Sequence, residues 1–190
     1  PLFISWPGRA AGSTDALTTN VDIHATLADL FGVEPEHRTH GKSLLPLVEG
    51  TASSIRDWVL AGMWGRQVHV IDGHIKYARG HVGENAPLSM WSNRWSTMPV
   101  HVPGFGLAPP DRRAKLDYMP GSDVPVIRQP FEAGDRLPYW CYGGTPGEHV
   151  LFNLDEDPNE ERNLAGAAGE KDAIDLLRAA LVAVEAPGEQ

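Results

Sequence analysis

Hydrophobic and polar positions along this chain follow two rhythms, with a long arrhythmic stretch between them. Residues 2–6 (LFISW) form a short apolar run closed by Pro7 and Gly8, the pattern of a buried strand ended by a turn. Further on the period lengthens. Val21, Leu27, Leu30 and Phe31, with Ile23 beside them, fall close to one helical face. Thr19 as N-cap puts Asp22 at the third helical position, a capping-box-like start, and Gly32 suits a left-handed stop. A second short helix is predicted over 42–49, ending at Gly50. The period then drops to that of strands, at 58–63, 67–71, 74–79 and 149–153. Asp72-Gly73 joins the second and third of these, which predicts a two-residue hairpin with positive φ at both turn residues. Over 171–185 the helical period returns, with Ile174, Leu177, Leu181 and Val184 on one stripe and Ala173 and Ala180 beside them.

Between residues 80 and 147 regularity is lost. This segment holds ten of the 16 prolines and three of the six tryptophans, Trp91, Trp95 and Trp140. It far exceeds an ordinary connection of about 4–6 residues. Its aromatic content predicts an ordered covering segment rather than a linker. The expected fold is therefore α+β. A small four-stranded antiparallel sheet with a packed C-terminal helix fills residues 51–190. Residues 1–50 supply a strand, a helix and a short helix ahead of it.

Composition narrows the function classes. A net charge of -9 argues against nucleic-acid and anionic-membrane partners, because phosphates are repelled at long range. The single cysteine, Cys141, allows no intrachain disulfide and so says nothing about compartment. No apolar run approaches the length of a bilayer span.

The densest chemistry lies in HVLFNLDEDPNEERNLAG, residues 149–166, where five carboxylates fall within seven residues. Asp155, Asp157 and Asn159 alternate as at the start of a calcium loop. The sixth position is Glu160 where such a loop needs glycine, and the twelfth is Gly166 where it needs a bidentate glutamate. The stretch reads instead as turn chemistry, Asp157-Pro158-Asn159, joining the last strand to the terminal helix. His37 and His40, three apart with no cysteine nearby, make a poor zinc pair. Arg112, Arg113 and Lys115, flanked by Asp111 and Asp117, read as a solvated loop.

These residues carry a family resemblance. LFNLDEDPNEERNLAG resembles the sulfatase stretch "LYDLxxDPxExxNLA", with Asp157, Pro158 and Asn163 at its motif positions and Asp155 within it. Four further pieces match in the family's order. PLFISWPGR is similar to "PLIxxWPG", VDIHATLADLFGV to "VDLxPTLLDLAGI", HGKSLLPLVEG to "xGxSLLPLLxG", and QVHVIDGHIKYARG to "xVRTxxYKYI". The resemblance implies the C-terminal portion of a sulfatase, within the alkaline phosphatase superfamily, with residues 1–50 as the tail end of its large α/β catalytic domain and 51–190 as its C-terminal subdomain. Sulfatases attack the ester sulfur with a formylglycine hydrate made from a C/S-x-P/A-x-R motif. A divalent cation, usually calcium, together with Lys and His groups, stabilises the developing anion. All those positions precede the PLIxxWPG strand in the family. The resemblance therefore places no catalytic residue and no metal ligand in this chain, and implies that the chain alone is inactive. Cys141 sits in CYGGT, which lacks the proline and arginine of the modification motif, and reads as a small apolar residue.

Other expectations follow from this reading. A chain that opens inside a strand without an initiator methionine reads as truncated. Its partners would be the upstream catalytic domain of the same polypeptide, a small-molecule or sugar sulfate as the intact enzyme's substrate, and a second copy through residues 2–6. His81, Trp91, Arg94, Trp95 and His101 are candidates for a substrate-pocket wall: arginine pairs with anions and tryptophan stacks on rings. Trp91 and Trp95 would share a face if that stretch were helical. Two other functions fit the residues. One is the same region of a phosphate or phosphonate ester hydrolase. The other is a non-catalytic carbohydrate-binding or interaction module.

Overall fold

The computed structural model describes residues 2–8, 11–95, 110–119, 123–135, 137 and 148–186. The chain divides into two units. One comprises Pro1–Pro35 and Thr39–Asp57, the other Glu36–Arg38 and Trp58–Gln190.

The first unit is built around a buried carboxylate. Helix α1 spans Val21–Phe31 and α2 spans Leu45–Glu49. Asp22 is fully buried, and it is the one buried residue of α1. Its Oδ2 accepts the Thr19 N–H at 2.8 Å, the return bond expected of a capping box. Its Oδ1 accepts the Lys42 N–H at 2.8 Å and pairs with the Arg56 guanidinium. Thr26 continues the seam: its hydroxyl donates to the Asp22 carbonyl at 2.6 Å and accepts the Leu44 N–H at 2.9 Å. The strap over 41–44 thus lies tight against the helix backbone. Gly41 is required there, since a Cβ would sit 2.3 Å from the Val21 carbonyl oxygen. Gly32, at φ 63°, closes α1 with its own N–H and that of Val33 turned back to Asp29 and Ala28.

One expectation fails in this unit. Residues 2–6 belong to neither sheet of the described structure, because a strand exists only where a neighbouring backbone completes its ladder. The apolar stripe of α1 is not a core face here. Ile23, Leu27, Leu30 and Phe31 are 42–73% exposed.

The second unit holds two sheets. The first contains β1 (Val59–Gly62), β2 (Val68–Ile71), β3 (Ile75–Arg79) and, after the three strands of the second sheet, β7 (Val150–Asn153), in the spatial order β1-β2-β3-β7, all antiparallel. These are the four expected strands, each within a residue or two of its predicted bounds. The β2–β3 turn differs in detail. Gly73 alone takes a positive φ, 97°, while the Asp72 carboxylate accepts the N–H groups of His74 and Ile75, each at 2.8 Å. Asp72 therefore acts as an Asx cap instead of entering the left-handed region.

Helix α3, Glu170–Ala183, covers one face of this sheet. Ala173, Leu177 and Ala180 are its most buried residues, packed with Val70, Tyr77 and Leu151, while Ile174 and Leu181 flank them. The contact line thus runs through the two alanines, whose small side chains let the helix approach the bulky Tyr77.

The second sheet occupies the segment that reads as irregular in sequence. Strands β4 (Leu88–Ser92), β5 (Lys115–Tyr118) and β6 (Pro125–Phe131) form it in the order β4-β6-β5, antiparallel throughout. Prolines 125 and 130 lie in β6, which hid its alternation from a reading that treats proline as a strand breaker. Met90, Ile127 and Phe131 form its core, and Trp64 from the β1–β2 connection docks on them. The Trp64 ring meets Phe131 edge-on at 5.2 Å, and its indole N–H donates to the Ser89 carbonyl at 2.8 Å. The basic run at 112–115 is also ordered. Pro110–Arg112 is a 3-10 turn, Arg112 pairs with Asp135, and its carbonyl accepts the buried Gln129 side chain at 2.5 Å.

Candidate functional site

The outer face of the second sheet carries its most distinctive side chains. Strand register aligns Trp91, Arg128 and Lys115 in one row across β4, β6 and β5. The Arg128 guanidinium lies over the Trp91 ring, 5.4 Å from its centroid. Its Nε donates to Ser89 Oγ at 2.9 Å and its Nη1 to Asp117 Oδ2 at 3.3 Å. These contacts fix the plane of a group that remains 39% exposed. The Asp117 carboxyl titrates below its ordinary value, first because it accepts the Tyr118 N–H and then because of Arg128 and Lys115. The row can offer a flat aromatic surface and a fixed planar cation to an anionic or ring-shaped ligand.

The sequence candidates fall around this row unevenly. Trp91 is within it. His81 lies in the connection between the sheets, where Nδ1 approaches the Gly83 carbonyl at 2.9 Å. Arg94 and Trp95 follow β4 in an exposed bend, in which Ser92 Oγ accepts the Arg94 N–H at 3.0 Å. Trp91 lies in a strand, so it shares no helical face with Trp95. His101, Trp140 and Cys141 lie outside the described residues. Sequence reasoning missed Arg128, because its signal was alternation in a strand that two prolines disguised.

A second polar constellation joins the sheet to α3. The buried Tyr77 hydroxyl donates to Glu170 Oε1 at 2.9 Å and accepts from Arg79 Nη1 at 3.0 Å. His149 Nδ1 stands 3.4 Å from Arg79 Nη1 and 3.8 Å from Glu170 Oε1. Glu170 Oε2 accepts the Gly166 N–H at 2.7 Å. That bond, then the one from Tyr77, holds the Glu170 carboxyl below the ordinary carboxylate range, while burial pushes the Tyr77 phenol up.

The acidic stretch spends its polar atoms on its own backbone. Asp157 accepts the N–H groups of Arg162 (2.8 Å) and Glu161 (3.1 Å), which lowers its pKa. Asn163 Oδ1 accepts from Leu151 and Ala165 at 3.0 and 2.9 Å, and its Nδ2 donates to the His149 carbonyl at 3.1 Å. Leu164 adds a bond to the Leu151 carbonyl at 2.8 Å. Together they cover the outer edge of β7. Asp155 pairs with His74 at 2.9 Å, and Glu160 with Lys76 at 2.5 Å. Pro158 sits at the turn between them. Among the described residues no group of three or more His, Cys, Asp or Glu is placed to hold a metal ion, and no helix is long and apolar enough to cross a membrane.

The chain is similar to sulfatases, and its Asp-Pro…Asn-Leu turn and terminal helix lie in a mixed α+β architecture. The chain is 35% identical to a choline-sulfatase of Rhizobium meliloti (strain 1021) over 83 residues, 40% of this chain and 16% of that protein. A solved structure from glycosaminoglycan metabolism in Bacteroides thetaiotaomicron ("6S-sulf") aligns over 88% of this chain and 25% of its own, with a TM-score of 0.48 and 17% identity. The chain thus spans only a small part of either protein's length. No protein-family model matches it.

Proposed function

We propose that this chain is the C-terminal region of an enzyme that hydrolyses sulfate esters, and that upstream polypeptide supplies the chemistry. The observation that carries this reading is the 35% identity to a choline-sulfatase, joined to five ordered stretches of sulfatase-like sequence. The roles of the motif residues support it. Asp22, Gly41, Asp157 and Asn163 each satisfy or approach backbone, as scaffold positions do, and leave no polar atoms aimed at a substrate. In this reading the upstream polypeptide supplies the calcium ligands and the formylglycine, since Cys141 sits in CYGGT without the proline and arginine of the modification motif. The exposed apolar stripe of α1, with Leu2, Phe3 and Ile4, is the surface on which that part docks.

In the intact enzyme the Trp91–Arg128 row forms part of the substrate wall. One set of assays tests the whole reading, using an aryl sulfate and the enzyme's sugar or small-molecule sulfates. The 190-residue chain alone is expected to be inert. The intact enzyme is expected to turn over, with Arg128→Gln raising KM while kcat and Tm hold. Enzyme-like turnover by the chain alone would sink the division of labour. A KM unmoved by Arg128→Gln would remove the row from the wall.

A further inference from the structure

Strand β5 is the outer strand of the second sheet, and among the described residues no strand pairs with its far edge. It is short, lacks proline and bulge, and is apolar on the side that continues the sheet's core. Leu116 is 71% exposed although its register partner Ile127 is buried, and Tyr118 beyond it is 58% exposed. The opposite face of β5 carries Lys115 and Asp117. The Tyr118 N–H donates to the Asp117 carboxylate at 2.8 Å, a bond that a new strand at this edge would exchange for a ladder bond.

We propose that β5 pairs antiparallel with β5 of a second copy, making one six-stranded sheet across a twofold axis at Leu116. The register follows from charge and size. With Leu116 opposite Leu116 of the partner subunit, each Lys115 faces an Asp117, and each Tyr118 faces the small Ala114. One face then carries two ion pairs and the other an unbroken apolar row. A shift of one residue sets Leu116 against a charge. A shift of two sets Lys115 against Lys115 or Asp117 against Asp117, which is repulsive. Only the Leu116-centred register satisfies both faces. It also gives Asp117 a second cation beside Arg128. The interface is isologous, as a twofold dimer requires.

The test is sedimentation velocity of the 190-residue chain across a concentration series. Phe3→Asp serves as the background, so that association through the exposed residues 2–4 does not contribute. That chain is expected to dimerise. Leu116→Lys, which puts two cations on the axis, is expected to leave a monomer with unchanged Tm. Lys115→Asp turns both ion pairs repulsive and is expected to weaken the dimer by roughly tenfold or more. Adding Asp117→Lys restores opposite charges and should recover the dimer. A monomeric Phe3→Asp chain, a Leu116→Lys chain that still dimerises, or a double swap that fails to recover association would each overturn the proposal.

Discussion

Individual residues in this protein hold it together through charge-assisted hydrogen bonds, to side chains and to backbone. The Tyr77–Glu170–Arg79 cluster is the clearest case, because a wholly buried phenol is flanked by an acid and a base. The Glu170 carboxyl titrates below its ordinary value. Its stabilisation is therefore complete above the unfolded-state carboxyl pKa and is lost as pH falls through the lower folded value. Glu170→Gln is expected to flatten the acid side of a Tm-versus-pH curve. Tyr77→Phe should cost about 1–3 kcal/mol near neutrality, since it takes the hydroxyl from the half-buried Glu170 and Arg79. An acid limb unchanged by Glu170→Gln would show that another group governs it. His74 works in the opposite sense. Asp155 raises its pKa, so its contribution is present at low pH and fades as pH rises through the folded value. Some of this was legible in sequence. Asp22 was readable as a capping residue, from its place three residues after Thr19. Its bonds to Lys42 and Arg56 were not, because contacts 20 and 34 residues away leave no periodic trace.

Elements differ in how clearly the chain announces them. The four strands of the first sheet and the helix α3 were readable because each has a clean period and turn residues at its ends. The second sheet was hidden. A long connection separates β4 from β5, and Pro125 and Pro130 fall within β6. Tertiary pairing, not local propensity, makes those residues a strand. The candidate site suffered accordingly, since Trp91 was visible as a lone aromatic but its partner Arg128 comes from the strand that sequence concealed. The acidic stretch looked like chemistry and is an edge cover. Asn163 caps β7 with three side-chain bonds to backbone. Asn163→Ala is expected to destabilise the first sheet by about 1–3 kcal/mol. In hydrogen exchange, the amides of Leu151 and Ala165 should lose protection first. Equal protection in wild type and variant would mean that the loop holds the edge without this side chain.

At the scale of the molecule, the two units are finished to different degrees. The second has two cores, each closed by its own sheet and, for the first sheet, by α3. The first has a polar centre in which both Asp22 carboxylate oxygens are bonded while the buried Arg56 Nε has no partner, and an apolar exterior, with Phe3 and Phe31 88% and 73% exposed. A helix whose buried side is polar and whose open side is apolar is built to be covered. That inversion could not be read from periodicity, which reports an apolar face without saying what meets it. It agrees with a chain that spans a small part of its sulfatase relative. The most direct test of this account is to sequence the coding region immediately upstream of Pro1. The account predicts a C/S-x-P/A-x-R motif preceded by paired aspartates, with further acidic and amide ligands between that motif and this chain. A Thr or Ser outside any such motif would contradict it and move the reading to phosphate or phosphonate esters.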